Sequence, residues 1–361
     1  MAKGASFRPI GLLVGIDDAY FPSLLSHLAN ALCYLRNANM AVHLITGGAG
    51  FIGVNLARRL LAVGDRVIAA DDLSRGRLDF VKSFARDPNF SFVKVDCSNF
   101  RIFHDEMLAL HQSNLITDVW HMAANSDIPA GVADPQIDLQ RTFMTTFATL
   151  AVMRDLDIPV IHFASSSAVY GDLADLAISE TSGPVEPISN YGAMKLASEA
   201  QIRAAVESYL RRANVFRFPN VVGTPATHGV VVDLIRKAQD SPSGFHVLGN
   251  GTQRKIYLHV DDLVSAMLCI RDRATARYNV YNIGPKDDGI TVREIAEAVA
   301  KRVAPNGAIH FGTDGKGWIG DVPRFRYATN KLSALGWSPS MGSHAAIAKA
   351  VEQIAEQEAS R

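Results

Sequence analysis

The chain has 361 residues, 48% hydrophobic and 20% charged, and its 36 basic and 36 acidic side chains give a formal net charge of zero. That length supports one large or two closely joined domains around a substantial core, and the absence of a basic excess excludes nucleic acid as an expected partner. Three scattered cysteines, Cys33, Cys97 and Cys269, form neither a pairing framework nor a metal spacing, which fits a reducing cytoplasm, and no apolar run reaches the ~18 residues of a membrane span.

In residues 1–39, Asp17 and Asp18 interrupt the apolar stretch, so a secretory signal is rejected. Phe21, Leu24, Leu25, Leu28 and Leu32 recur at helical spacing. Three readings of this extension stay open: an over-long gene start, an extra packing helix, or an interaction segment. From Val42 the pattern becomes apolar strand, glycine turn, helix and strand again. Strands are predicted over Val42–Thr46, Val67–Ala70, Phe90–Val95, Asp118–Met122, Val160–Ala164 and Ala213–Phe216. Helices fall between them, at Phe51–Val63, Thr142–Leu156 and Ala193–Leu210. Short apolar strands alternating with helices imply an α/β, doubly wound parallel sheet of the Rossmann type.

Beyond about Asn220 the alternation loses regularity. We expect a Rossmann domain over 40–219, with a return segment over about 251–279 that carries a helix near Asp262–Ile270. A smaller, discontinuous α/β substrate domain is expected over 220–250 and 280–345, including a helix at Val292–Val303. Residues 346–361 read as a C-terminal tail whose polar end, from Glu352, frays. Asp261 and Asp262 are expected to cap the helix that follows them. Eight scattered histidines, His43 and His162 among them, lack paired metal spacing, and each is expected simply to be hydrogen-bonded.

The turn after the first strand reads Thr46-Gly47-Gly48-Ala49-Gly50-Phe51-Ile52-Gly53. Glycine lets a backbone turn tightly and approach a pyrophosphate whose charge rests on a helix N-terminus. The glycines fit two spacings, Gly47, Gly50 and Gly53 or Gly48, Gly50 and Gly53, and alone such a trio is also an ordinary tight turn. Asp71, 24 residues after Gly47 at the end of the second strand, strengthens the reading. An acid there accepts hydrogen bonds from the adenosine ribose and repels a 2′-phosphate, which favours NAD over NADP. Asp72 reads as a solvent-facing neighbour, and Asp96 after the third strand is a candidate for the adenine amino group.

Tyr191 and Lys195 stand at i and i+4, on one face of a helix. A neighbouring ammonium stabilises phenolate, so the pair is expected to lower the tyrosine pKa and let it take a proton from a sugar hydroxyl. Ser165-Ser166-Ser167 follow a buried strand, where a hydroxyl can bind substrate and relay that proton.

These residues carry a likeness. From about Val42 to Trp337 the chain resembles the extended short-chain dehydrogenase/reductases, and within them the NAD-dependent epimerase/dehydratase family acting on nucleotide sugars. The likeness rests on TGGAGFIG (46–53), HMAA (121–124), SSSAVYG (165–171), YGAMK (191–195), RFPNVVG (217–223), YLHVDD (257–262) and GDVPRFRY (320–327). It implies Ser166, Tyr191 and Lys195 as catalytic residues, with Ser166 standing 25 residues before Tyr191 as in UDP-glucose 4-epimerases. It implies an NAD site formed by Gly47, Gly50, Phe51, Ile52, Gly53, Asp71, Asp96, Ala123, Ala124, Tyr191 and Lys195, and no metal. For substrate it implies Ser166, Asn220, Lys255 and Arg324, with Lys255 where an arginine commonly meets the phosphate and Arg254 as a second candidate.

Dehydratases of the family place an acid pair after the catalytic hydroxyl, where this chain has Ser167 and Ala168. Decarboxylating members carry a glutamate nearby. The expectation is therefore C4 epimerisation of a UDP-sugar through its 4-keto form. The alternatives are a dehydratase or keto-sugar reductase of the same family, or a non-catalytic NAD-binding protein. The chain departs from the family's Asn-Val-x-Gly-Thr at Arg141-Thr142-Phe143-Met144-Thr145-Thr146, where Arg141 reads equally as an anion contact or a solvated residue. A homodimer through helices 142–156 and 193–210 is implied by the same likeness.

Overall fold

The computed structural model describes residues 40–173, 177–313 and 326–360. Val42–Thr46 forms β1, every residue of it buried. A strand buried on both faces has no polar side to show, which is why these strands read as unbroken apolar runs. Six more strands join it: β2 (Arg66–Asp71), β3 (Phe90–Lys94), β4 (Asp118–His121), β5 (Val160–Ala164), β6 (Arg212–Arg217) and β7 (Tyr278–Asn282). Their order across the sheet is β7-β6-β5-β4-β1-β2-β3, with every neighbouring pair parallel. The chain winds outward from β1 to β3, then crosses back to β4 and winds the other way. The reversal between β1 and β4 opens a crevice at their carboxyl ends, the usual ligand position in such sheets.

Helices cover both faces. On one face α1 (Phe51–Ala62) and α6 (Val260–Arg273) bury Val54, Leu60, Leu263 and Met267 against Ile45 and Trp120. On the other, α2 (Phe100–Ser113), α3 (Thr145–Asp155) and α4 (Asn190–Ser208) bury Phe103, Met107, Leu150, Met153, Ile202 and Val206 against Leu44 and Ile161. Each such side chain contributes roughly 1.5–3 kcal/mol when fully buried. The helix expected near 262–270 thus packs on the main sheet.

A separate core joins α5 (Val230–Asp240), α7 (Val292–Val303) and α8 (Ser343–Ala359) through Ile235, Ile295, Val299, Ile347 and Val351. A parallel pair of short strands, Gly244–Val247 and Ala308–Phe311, lies with it. Thr291 and Glu294 close the start of α7 with a capping box.

Several sequence expectations are corrected. The end expected to fray from Glu352 stays helical to Ala359. Gln357 there exchanges hydrogen bonds with the backbone of Ala226 at 2.8 and 2.7 Å. Asp261 and Asp262 lie inside the first turn of α6, whose cap is the His259 ring accepting from Asp261 N at 3.2 Å. Helix α3 begins at Thr145, because Leu139–Met144 before it form a wider π-helical turn. The seventh strand was not expected; it carries the sheet's return segment to Asn282, past the anticipated end at 279. The amphipathic spacing from Phe21 to Leu32, Cys33 and Arg324 lie outside the described residues.

Candidate active site

The glycine loop leaves β1 at the crevice. Gly47 holds a φ of 69°, in the left-handed region, and a Cβ on it would stand 2.8 Å from Ala123 N. A Cβ on Gly53 would stand 2.3 Å from the Gly47 carbonyl oxygen, so the loop folds back on the first turn of α1 with no room for a side chain. Gly50 is the N-cap of α1, with no side-chain cap and no acid in the first turn. The helix therefore presents bare N–H groups and the positive end of its dipole to the crevice, a seat for a diphosphate. Phe51 and Ile52 pack their side chains on the α1–α6 core, which leaves their backbones to face the loop.

Asp71 is buried at the end of β2. Its Oδ2 accepts from Ala49 N at 3.0 Å and its Oδ1 from Leu73 N at 2.8 Å, so the carboxylate braces the glycine loop against the loop after β2. Burial raises this carboxyl above the usual range, and the two N–H donors offset only part of that. A ligand hydroxyl donating to it would relieve the same strain. Asp72 accepts from Ser74 N at 2.8 Å, and exposed Asp96 is engaged by the backbone and hydroxyl of Ser98 at 2.8 and 2.7 Å. Ala123 and Ala124 are half-buried just past β4, and Ala123 faces Gly47 across the crevice. A tight loop, an open helix end and an acid at the end of β2 fit a dinucleotide.

The other half of the site comes from α4. Ser189 caps it by accepting from Gly192 N at 3.1 Å. A Cβ on Gly192 would stand 2.4 Å from the Ala168 carbonyl oxygen, so α4 packs directly on the short turn Ser167–Tyr170. This contact brings the Ser166 hydroxyl, which accepts from Ala168 N at 3.1 Å, beside the Tyr191 phenol. Of the three serines, Ser165 is buried and donates to Glu199, while Ser166 lies beside the tyrosine. Lys195, fully buried, donates from Nζ to the Ala164 carbonyl at 2.6 Å and lies 5.8 Å from the Tyr191 ring centre.

The expected lowering of the tyrosine pKa does not hold in the chain by itself. Burial pushes the Tyr191 phenol up to about 12, against the relief that Ser166 gives it. Burial also pulls the Lys195 ammonium down to about 7, although Glu199 and Asp138 favour its charged form. For each group desolvation outweighs the neighbours that favour its charged form.

Sequence reasoning missed a polar group behind the pair. Asp138, with no exposed surface, accepts from Asn125 Nδ2 at 2.9 Å and from the Thr142 hydroxyl at 3.5 Å. His121 lies between the Thr46 and Thr146 hydroxyls at 2.6 and 3.0 Å, and burial with the Lys195 charge pulls it down to about 3, so it is neutral. Asp138 carried no signal, since an acid among Gln136, Gln140 and Arg141 reads as a solvated helix face.

Asn220 is exposed three residues past β6, opening a short strand paired with Tyr257–His259. Lys255 lies half-buried in a two-residue strand paired with Ile290–Thr291, and Arg254 beside it donates to the Gly289 carbonyl at 2.9 Å. Arg141 is exposed on the π-helical turn. Among the described residues no group of three or more His, Cys, Asp or Glu side chains is placed to hold a metal, and no helix is long and apolar enough to cross a membrane.

Residues 43–284 match the model of the NAD dependent epimerase/dehydratase family. The chain is 30% identical over 314 residues to a UDP-glucose 4-epimerase of Mycolicibacterium smegmatis, covering 86% of this chain and 97% of that protein. The crystal structure of a UDP-galactose 4-epimerase aligns with a TM-score of 0.76 at 31% identity, over 88% of this chain and 99% of that one. The Thermus thermophilus UDP-glucose 4-epimerase, solved in complex with NAD, aligns with a TM-score of 0.75 at 26% identity, over 87% and 98%. The glycine loop, Asp71 and the tyrosine helix lie within the matched residues, and the chain belongs to the NAD-dependent epimerase/dehydratase family.

Proposed function

We propose that this protein inverts C4 of a UDP-sugar by transient oxidation to the 4-keto sugar. The observation that carries the reading is the gathering of Ser166, Tyr191 and Lys195 where α4 packs on the turn after β5, with Lys195 Nζ 5.8 Å from the Tyr191 ring centre and the Ser166 hydroxyl beside the phenol, at the same crevice as the glycine loop. Bound NAD would supply a two-electron acceptor that is restored within each turnover. The glycine loop and the N-terminus of α1 would hold its diphosphate, and Asp71 its adenosine ribose.

In this reading Tyr191 Oη takes the proton of the C4 hydroxyl, with Ser166 holding that hydroxyl in line and carrying the proton between the two oxygens. Lys195 stabilises the phenolate; to do so its ammonium turns from the Ala164 carbonyl toward the tyrosine. When the ketone is reduced again on its other face, Tyr191 returns the proton. No carboxylate stands at 167 or 168 to assist loss of water, which favours epimerisation over dehydration. Asn220, Lys255 and Arg324 are proposed to meet the substrate's diphosphate.

The test is incubation of the purified protein, without added cofactor, with UDP-, GDP-, CDP- and dTDP-sugars, read by NMR. Conversion of one UDP-sugar to its C4 epimer is expected. Turnover only of a keto sugar with supplied NADH or NADPH would replace this reading by a reductase, and loss of water would replace it by a dehydratase. We further propose a homodimer through α3 and α4, where Phe147 is 43% exposed. A monomeric mass in light scattering at micromolar concentration would contradict it.

A further inference from the structure

The loops that leave β2 and β4 are joined by an ion pair, in which Arg75 Nη2 donates to Asp127 Oδ2 at 2.5 Å. In the sheet β1 lies between β2 and β4 and pairs with both. A contact from the loop after β2 to the loop after β4 therefore crosses the carboxyl end of β1, a span of two strand spacings, roughly 10 Å. The glycine loop begins at that end.

Each side of the pair is seated on that loop. On the β2 side Arg77 N donates to the Ala49 carbonyl at 3.1 Å, and a Cβ on Gly76 would stand 2.7 Å from either carboxylate oxygen of Asp71. Arg75 is the residue before that close approach. On the β4 side Ala123 faces Gly47, and the chain runs on to a turn fixed by the buried Asn125. Asn125 Oδ1 accepts from Asp127 N at 3.0 Å, and its Nδ2 donates to the Asp127 carbonyl at 2.8 Å. Asp127 Oδ1 accepts from Ala130 N at 3.1 Å, capping the helical turn Ile128–Ala133 and leaving Oδ2 to the arginine. Asp127 is thus a fixed post, and the flexible part of the pair is the long arginine side chain.

A dinucleotide with its ribose at Asp71 and its diphosphate on the glycine loop extends from the β2 side toward the β4 side, along the line that the pair bridges. The two side chains are 37% and 36% exposed, so water competes for both charges and the pair can open without disturbing the core.

We propose that the Arg75–Asp127 ion pair is a latch over the cofactor crevice, which NAD must pass on entering and on leaving. The cofactor is then retained by a gate as well as by its own contacts. A gate slows both directions in the same proportion and leaves the affinity nearly unchanged. The inference rests on the cofactor site and not on the sugar chemistry, so a protein that epimerises no sugar leaves it in place.

The experiment is stopped-flow fluorescence of NADH, following its entry into protein freed of cofactor and its release on a chase with excess NAD. Asparagine caps a helix as well as aspartate does, so Asp127→Asn removes the charge and keeps the turn. In this variant entry and release should both quicken by about two- to fivefold, with Kd nearly unchanged. Release from Arg75→Met and from the double variant should quicken to the same extent, because each substitution breaks the same contact. Unchanged rates overturn the proposal. Faster release with unchanged entry in Asp127→Asn also overturns it, since the pair would then be a contact of the bound cofactor. Slower release in Asp127→Asn beside faster release in Arg75→Met is equally fatal, because the freed arginine would be a ligand of the diphosphate. Should Asp127→Asn not fold, Asp127→Ser, which also caps, takes its place in the same test.

Discussion

A phenol held near 12 cannot act as a base at neutral pH unless something pays the difference, and each pH unit corresponds to about 1.4 kcal/mol. The neighbouring Ser166 hydroxyl contributes part, and a positive charge brought beside the ring contributes the rest. Tyr191→Phe keeps the ring and its packing and deletes only the oxygen. Turnover of the UDP-sugar should fall by about 10²–10⁴-fold, while NAD affinity, measured by fluorescence titration, should stay nearly unchanged. A variant that turned over normally would remove Tyr191 from the chemistry. The serine triplet shows what sequence could reach at this scale. Three adjacent hydroxyls look alike as letters, and the family likeness alone singled out Ser166. In the fold they are distinguished by packing, since Ser165 points to Glu199 and Ser166 lies beside Tyr191.

At the scale of elements, the glycine loop acts through close approach of backbone to backbone. In Gly53→Ala the new methyl would meet the Gly47 carbonyl oxygen, which has no flexible end to yield. The loop must shift, at a cost of about 1–3 kcal/mol, and the helix end is carried away from the diphosphate. NAD affinity should fall at least tenfold, with a smaller loss of thermal stability; unaltered affinity would mean that the loop does not seat the cofactor. This element was legible because the glycines stand between an apolar strand and a helix and Asp71 follows at the end of the second strand. The seventh strand was not. Its sequence, Tyr-Asn-Val-Tyr-Asn, puts asparagines where a buried strand usually has apolar residues. Asn279 donates to Asn214 Oδ1 at 2.9 Å and Asn282 accepts from the Tyr170 hydroxyl at 2.7 Å, so each is satisfied by a partner far away in sequence. The C-terminal end of α8 misled for the same reason, because Gln353 and Gln357 find partners on His259 and Ala226.

Across five of the seven strands runs a row of polar side chains inside the apolar core: His43 on β1, Asp118 on β4, His162 on β5, Asn214 on β6 and Asn279 on β7. His43 sits between two carboxylates, 2.6 Å from Asp118 and 3.1 Å from Asp65. Burial alone would lower its pKa, but the hydrogen bonds and charges of those acids outweigh burial and raise it to about 9, so the ring is an imidazolium with both nitrogens donating. Asp118 is correspondingly held well below the carboxylate range by His162 and His43, against its burial. A histidine whose folded pKa is raised gives stability that is fully present below its unfolded value of 6.5 and is lost as pH rises through about 9. Lys195, depressed to about 7, titrates in the same range with the opposite sign, so the wild-type pH profile alone does not isolate His43. The comparison that does is between the wild type and His43→Gln. At pH 6 the variant should be less stable in urea by about 2–3 kcal/mol, since it leaves Asp118 buried beside no cation. By pH 10 the wild-type ring is itself neutral, and the gap should close to about 1 kcal/mol or less. A gap that stayed constant with pH would mean that His43 serves the sheet as a neutral hydrogen-bonding ring. The sheet would then be held by its two apolar faces, with the polar row merely tolerated between them.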